Sequence, residues 1–322
     1  MQPFKPDSLP ERLRWLLEEG FFAYFGTADA KGNPHVTPVT FIFDGEGIFT
    51  ITSKYARKIR NLRENPKSAM LIDVRDPQDP RNNRAVLLQG EAKVYGVLDC
   101  LLQIGKILKL NRLIKGKYPH YFEFYMKKWR HIPDAWKPCL FRSRLIIRFN
   151  PKAFTYMRET MPTKLDGGSP NFNPQTFMEN SPFAYLCTVD VNLQPHVVPV
   201  FYWFEEGRIW LVSALNSKKL KNLRVNSRVC LTMDSRDPVN PFNNAGIMVW
   251  GMAEIHRAIQ DLQVLKAFID GRLYRGFQEK YGFFEEWLMQ ALSFPLTPIE
   301  VRIKRMVFWK GPWFKSFKLG KP

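Results

Sequence analysis

The sequence predicts a mainly β chain with helices (α+β), in which one antiparallel unit is built twice. Three observations carry this: an internal duplication, an alternating apolar pattern, and breaks made of turn-forming residues. The strings "PHVTPV" and "PHVVPV" set His35 and His196 161 residues apart. Holding that offset from Phe22–Lys93 to Phe183–Glu254 needs no gap, and 26 of the 72 aligned positions are identical. A period this long is that of whole domains, not of a solenoid repeat. The expected domains are residues 1–158 and 172–322, joined by a linker at 159–171 within a Pro-, Gly- and Asn-rich stretch.

Each unit opens with three strands in "AYFGTADAKGNPHVTPVTFIFDGEGIFTITS", whose β-branched and aromatic residues alternate with polar ones. "DAKGNP" and "DGEG" break it, Gly supplying positive φ and Asp or Asn bonding the backbone. The second copy breaks at "DVNLQP" and "EEGR". "RKIRNLRENP" then has helical spacing, Ile59 and Leu62 on one face and Pro66 ending it, and "KKLKNLRVNS" repeats it. Two strands follow, around "SAMLIDV" and "RAVLLQGEAKVYG", flanking an "RDPxxP" loop. Helical stretches come next, and "SRLIIRFNPKAFTYM" and "IEVRIKRMVFWKG" close the units as strands.

Composition fits a folded protein: 322 residues, 45% hydrophobic and 14% aromatic. The longest apolar runs fall far short of the roughly 18 residues a membrane span needs. The N-terminal residues lack a basic segment followed by an apolar one, so no signal peptide is read and a cytoplasmic protein is expected. Cys100, Cys139, Cys187 and Cys230 have no metal-type pairing and are expected to be buried free thiols. Net charge is +18, and 13 Lys and Arg against Glu123 and Asp134 fall between Gln103 and Lys152.

"GxPHVTPV", "GIFTITSxxxRKIRNLRENP" and the "GxA" strand together resemble the split-barrel flavoproteins of the pyridoxamine 5′-phosphate oxidase-like superfamily. The resemblance implies two tandem split β-barrels of antiparallel strands, packed as an intramolecular pseudo-dimer. It implies a flavin, FMN, or the deazaflavin F-420 in the groove between barrels, and a flavin-dependent oxidoreductase whose substrate is unknown. The cofactor phosphate would lie on Thr52, Ser53, Arg57 and Lys58, with Ser213, Ala214, Lys218 and Lys219 as counterparts. The ring would lie along Thr37, Pro38 and Val39, matched by Val198, Pro199 and Val200.

Physical chemistry supports the clamp. Arg57 and Lys58 stand at a helix start, where free N–H groups favour an anion, and Arg and Lys grip a phosphate differently. Repeat one is the better clamp, with two hydroxyls against one and Arg57–Lys58 against Lys218–Lys219. Blander roles are expected elsewhere: Arg60, Arg63 and Lys67 as a solvated face, His35 and His196 as strand filling, Asp76 and Asp237 as turn scaffolding. The residues that pyridoxamine phosphate oxidases use on the substrate phosphate are not recognisable. Haem is a lesser alternative, with His120 and His131 as ligands to test. A different class of function has the basic 103–152 segment binding nucleic acid or an anionic surface, its aromatics interleaved with charge.

Overall fold

The computed structural model describes residues 1–74, 84–96, 104–131, 143–157, 173–237, 239–240, 243–259, 262–282, 284–291, 295–311 and 313–318. The linker at 159–171, Asp76, Cys100 and Cys139 lie outside these. The first half holds β1 (Gln2–Pro3), α1 (Glu11–Glu19), β2 (Phe22–Ala28), β3 (Pro34–Thr40), β4 (Ile42–Phe43), β5 (Ile48–Ser53) and α2 (Arg57–Glu64). It continues through β6 (Lys67–Val74), β7 (Arg84–Tyr95), α3 (Ile104–Lys117), α4 (Pro119–Arg130) and β8 (Arg144–Met157). The second half holds α5 (Pro174–Asn180), β9 (Ala184–Val189), β10 (Pro195–Val200), β11 (Trp203–Glu205), β12 (Arg208–Ala214), α6 (Lys218–Val225) and β13 (Arg228–Ser235). After it come β14 (Ala245–Ile255), α7 (Leu262–Ile269), α8 (Arg272–Lys280), α9 (Phe284–Ala291), β15 (Leu296–Lys310) and β16 (Trp313–Lys318).

Each half is an antiparallel sheet of the same order. The first runs β3-β2-β6-β7-β8-β5-β4 with β1 on β8; the second runs β10-β9-β13-β14-β15-β12-β11 with β16 on β15. The sequence suggested six strands per unit, and each sheet has eight. One extra strand arises where the second strand of each unit breaks, at Phe41 and Tyr202. There a tyrosine from the helical stretch replaces the ladder: the Tyr118 hydroxyl accepts from Phe41 N at 3.0 Å and lies 2.7 Å from Phe41 O. The Tyr281 hydroxyl accepts from Tyr202 N at 3.0 Å and lies 2.8 Å from Tyr202 O. The duplication thus extends into the helices, beyond the gapless alignment.

The "GxA" glycines have a local cause. The β7–β8 and β14–β15 ladders both shift register, between Gln89 and Gly90 and between Trp250 and Gly251. A Cβ at Gly90 would collide with the carbonyl oxygen of Asn150, and one at Gly251 with that of Arg302. Backbone approach this close is available to glycine alone.

Each barrel has its own core, Leu16, Phe25, Ile59, Met70 and Phe149 in the first and Leu186, Leu211, Leu220, Leu231 and Val301 in the second. A third apolar cluster joins the barrels: Tyr24, Val36, Ala69 and Leu71 against Tyr185, Cys187, Val197 and Cys230. Polar contacts around it are reciprocal. Asn65 Nδ2 donates to Leu193 O at 2.9 Å and Asn226 Nδ2 to Gly32 O at 2.8 Å. Lys67 Nζ donates to Asn192 O at 2.7 Å and Arg228 Nη1 to Lys31 O at 3.1 Å. Residues 161 apart thus exchange partners, as an approximate two-fold requires. Lys67, expected on a solvated face, ties the repeats together instead. Both turns reach left-handed φ, +73° at Gly32 and 60° at Leu193.

Candidate functional site

In repeat one the basic helix caps the barrel beside the junction. Ile59 and Leu62 enter the core, and Asn61 Nδ2 donates to Thr27 Oγ1 at 3.0 Å, fixing α2 on β2. Its N-cap position is Ala56, which provides no side-chain acceptor. The first N–H groups of a helix lack i−4 partners; Ile59 N donates to Ala56 O at 3.0 Å, and those of Arg57 and Lys58 are left open among the described residues. Arg57 and Lys58 stand on that open end, Lys58 buried and Arg57 half-buried. No acid pairs with either among the described residues. Burial, reinforced by the charge of Arg236, lowers the Lys58 ammonium to about 8. Thr52 is buried and Ser53 half-buried at the end of β5, Ser53 Oγ accepting from Tyr55 N at 3.3 Å.

The opposite wall comes from repeat two. Trp250 on β14 stacks parallel to His35 of β3, ring centroids 5.7 Å apart. The Arg57 guanidinium lies 5.4 Å from the Trp250 ring centroid, and Arg305, the cross-strand partner of Trp250 on β15, lies 5.2 Å from it. His35 is 5% exposed. Desolvation first, and then the charges of Lys58, Arg57, Arg305 and Arg60, push its pKa well below the usual histidine range. Its imidazole is therefore neutral at pH 7. Buried polar atoms with no partner among the described residues lie here: His35 Nδ1 and Trp250 Nε1, whose rings stack, and Thr37 Oγ1. Such atoms normally find a partner, and each one left without costs about 1–3 kcal/mol. Thr37 lies two residues from His35, on the same face of β3.

Several matching residues of the second groove satisfy one another, although His196 Nδ1, like His35 Nδ1, is buried with no partner among the described residues. Ser217 stands where repeat one has Ala56, and its side chain accepts from Leu220 N, capping α6. Ser213 Oγ lies 3.0 Å from Ser217 Oγ. Lys218, the counterpart of Arg57, pairs with Asp190 at 3.1 Å. Gln89 replaces Trp250 and donates to Pro195 O at 2.7 Å. Arg305 is replaced by Ala153 on the equivalent strand pair. Lys219 is lowered to about 8 by burial, and His196 to about 4 by burial and by Lys219 and Lys218. Along the proposed ring strands, Val39, Val198 and Val200 point into the barrel cores, while Pro38 and Pro199 are half-buried.

The remaining candidates fall elsewhere. Arg60 and Arg63 are exposed, although the charge of Arg60 reaches His35. His120 and His131 are exposed, on α4 and one residue past it. Asp237 accepts from Val239 N and Asn240 N, each at 2.8 Å, which holds its carboxyl below the usual range and makes it turn scaffolding. In the basic segment, Leu110, Tyr118 and Tyr121 pack with Ile42 and Phe49, so these aromatics cover the barrel. Trp309 belongs to the junction cluster. Sequence reasoning missed Trp250, Arg305 and Ala56. The gapless alignment held the signal for two of them, as Trp250 against Gln89 and Ala56 against Ser217. The pairing of Arg305 with Trp250 needed the bulged ladder.

The family model for pyridoxamine 5′-phosphate oxidase matches residues 9–101 and again residues 174–282, together well over half the chain. A curated relative, the 5a,11a-dehydrotetracycline/5a,11a-dehydrooxytetracycline reductase of Streptomyces rimosus, is 33% identical over 87 residues. That match covers 26% of this chain and 61% of the relative, so the chain spans under two thirds of the reductase. Among solved structures, a conserved hypothetical protein of Mycobacterium tuberculosis is 22% identical with a TM-score of 0.35, covering 47% of this chain and 91% of that one. An F420 reductase is 23% identical with a TM-score of 0.30, covering 46% and 98%. With its two matched segments lying on two sheets of one topology, the chain belongs to the pyridoxamine 5′-phosphate oxidase family and carries its domain twice.

Proposed function

We propose that the chain is an oxidoreductase that binds one flavin-type cofactor, FMN or a deazaflavin, in the groove between the open end of α2 and Trp250. The single observation that supports it best is the concentration of unmet demand there. An uncapped helix start and two cations that no acid pairs with adjoin three buried polar atoms, His35 Nδ1, Thr37 Oγ1 and Trp250 Nε1, that have no partner among the described residues. Arg57 and Lys58 would hold the cofactor phosphate with Thr52 and Ser53 assisting, and the ring would lie along Thr37, Pro38 and Val39. When bound, the cofactor supplies the hydride chemistry, and the protein supplies orientation and electrostatics. His35 stays neutral beside the cations, offering one donor and one acceptor without adding positive charge. The relative from Streptomyces rimosus is a reductase. Only that reductive character is carried over here, not its substrate.

Occupancy of one site per chain follows from the second groove, where Ser217, Asp190 and Gln89 take up the groups a phosphate would need. The test is a titration of the purified chain with FMN and with the deazaflavin, following cofactor absorbance and fluorescence. One equivalent bound, lost in Arg57→Ala and kept in Lys218→Ala, is the expected result. Two equivalents, or equal loss in both variants, would show that the grooves are alike.

A further inference from the structure

We propose that this groove takes two anionic groups, the second seated on Arg305 of repeat two beside Trp250. The inference rests on the reading above and deepens it. Four cations act on buried His35: Lys58, Arg57, Arg305 and Arg60, with no carboxylate among its influences. Arg236, whose charge acts on Lys58, is matched by Asp234. A terminal phosphate carries about 1.5 to 2 negative charges at pH 7, which Arg57 and Lys58 already match. Arg305 remains. It stands exposed on the other barrel, 5.2 Å from the Trp250 ring centroid, and no carboxylate pairs with it among the described residues.

Two orphans lie on that side of the clamp. His35 Nδ1, on a ring 95% buried, and Trp250 Nε1 both lack partners among the described residues. Arg305 and Trp250 face each other across the ladder, so guanidinium and indole N–H belong to one wall. An arginine fork beside an indole donor suits a phosphate or carboxylate attached to a planar group. That second anion is either a further acidic group of the cofactor itself, as in a dinucleotide or a carboxylate-tailed deazaflavin, or the acidic group of a separate substrate.

The full-length protein tests this with Arg305→Ala, and with Lys304→Ala as an exposed same-strand control for lost charge. Inorganic phosphate is titrated by calorimetry into the FMN-saturated chain. The expected result is one phosphate bound, weakened at least tenfold in Arg305→Ala and unchanged in Lys304→Ala. FAD and the deazaflavin then separate the sources. If either binds wild type at least tenfold tighter than FMN and loses that gain in Arg305→Ala, the second anion is the cofactor's own. If all bind alike and phosphate still adds, the anion belongs to the substrate. No phosphate uptake together with equal behaviour of the two variants overturns the proposal. If no flavin or deazaflavin binds wild type, the cofactor reading fails by itself. The proposal then stands or falls on whether the chain alone takes two phosphates, one sensitive to Arg57→Ala and one to Arg305→Ala.

Discussion

Tyr24 and Tyr185 stack against each other where the two barrels meet, and each donates its hydroxyl to an aspartate of the opposite repeat. Tyr24 Oη reaches Asp234 Oδ1 at 2.9 Å, and Tyr185 Oη reaches Asp73 Oδ2 at 2.6 Å. The rings sit in the apolar cluster that both repeats build. Neither half can separate without exposing that cluster and breaking both tyrosine–aspartate bonds.

The halves should therefore unfold together. Urea denaturation followed by tryptophan fluorescence and by far-UV circular dichroism should give coincident single transitions. Tyr24→Phe keeps the stacked ring and removes one charge-assisted bond, which costs about 1.5–3 kcal/mol. Separate transitions for the two probes would show that the barrels are autonomous.

Binding should depend on the start of α2 and not on its solvated turn. Replacing Arg57 by Ala removes one hydrogen bond to a charged group and should weaken cofactor roughly ten- to a hundredfold. Arg63→Ala, on an exposed position one turn further, should change affinity less than twofold. Equal effects in an equilibrium titration would place the phosphate elsewhere.

Most of the architecture was legible because duplication wrote it twice. The turn signals, the helix after the third strand and the paired barrels followed from shared residues such as Asn61 and Asn222, each of which ties its helix to its barrel. The break at Phe41 was not legible, because Tyr118 lies 77 residues away and makes its contact only in three dimensions. The basic pair at the start of α2 was visible as residues 57 and 58. Its opposite wall was not, because β14 and β15 meet it only through the barrel junction.

Affinity for the cofactor should fall with alkaline pH. Lys58 has its pKa near 8 in the free protein, and a bound phosphate favours its charged form and raises that value. Through Lys58, affinity declines by up to tenfold per unit above pH 8, until the bound-state pKa is passed, while the phosphate itself stays a dianion across that range. Lys58→Arg, charged throughout, should flatten this profile. A wild-type profile equally flat from pH 6 to 9.5 would remove Lys58 from the phosphate.

Folding stability should change with pH in the opposite sense. Lys117 donates to Leu17 O at 2.9 Å and Lys280 to Met178 O at 3.2 Å, each over an aromatic ring, and burial lowers both to about 7. Their folded pKa values lie below the unfolded one. Between about pH 7 and 10 the unfolded chain therefore holds more protons, and stability rises with pH through these groups. Lys117→Met should reduce that slope in urea titrations at pH 7, 8 and 9. An unchanged slope would mean that the ammonium is solvated.

The last prediction sets stability against binding at one residue. Ala56 leaves the start of α2 uncapped, whereas Ser217 caps α6 from the same position. Ala56→Ser should supply the missing acceptor and stabilise the fold by about 0.5–2 kcal/mol, the usual worth of an N-cap. The same hydroxyl takes up an N–H that an anion would otherwise use, so cofactor affinity should drop severalfold. Ser217→Ala is the reciprocal change: it should destabilise by a similar amount and leave affinity unaltered, because Asp190 still holds Lys218 and Gln89 still fills the second groove. Opposite signs for stability and affinity in Ala56→Ser would mark the open helix end as a feature kept for its ligand. A variant that gains both would show that the cofactor does not use these N–H groups.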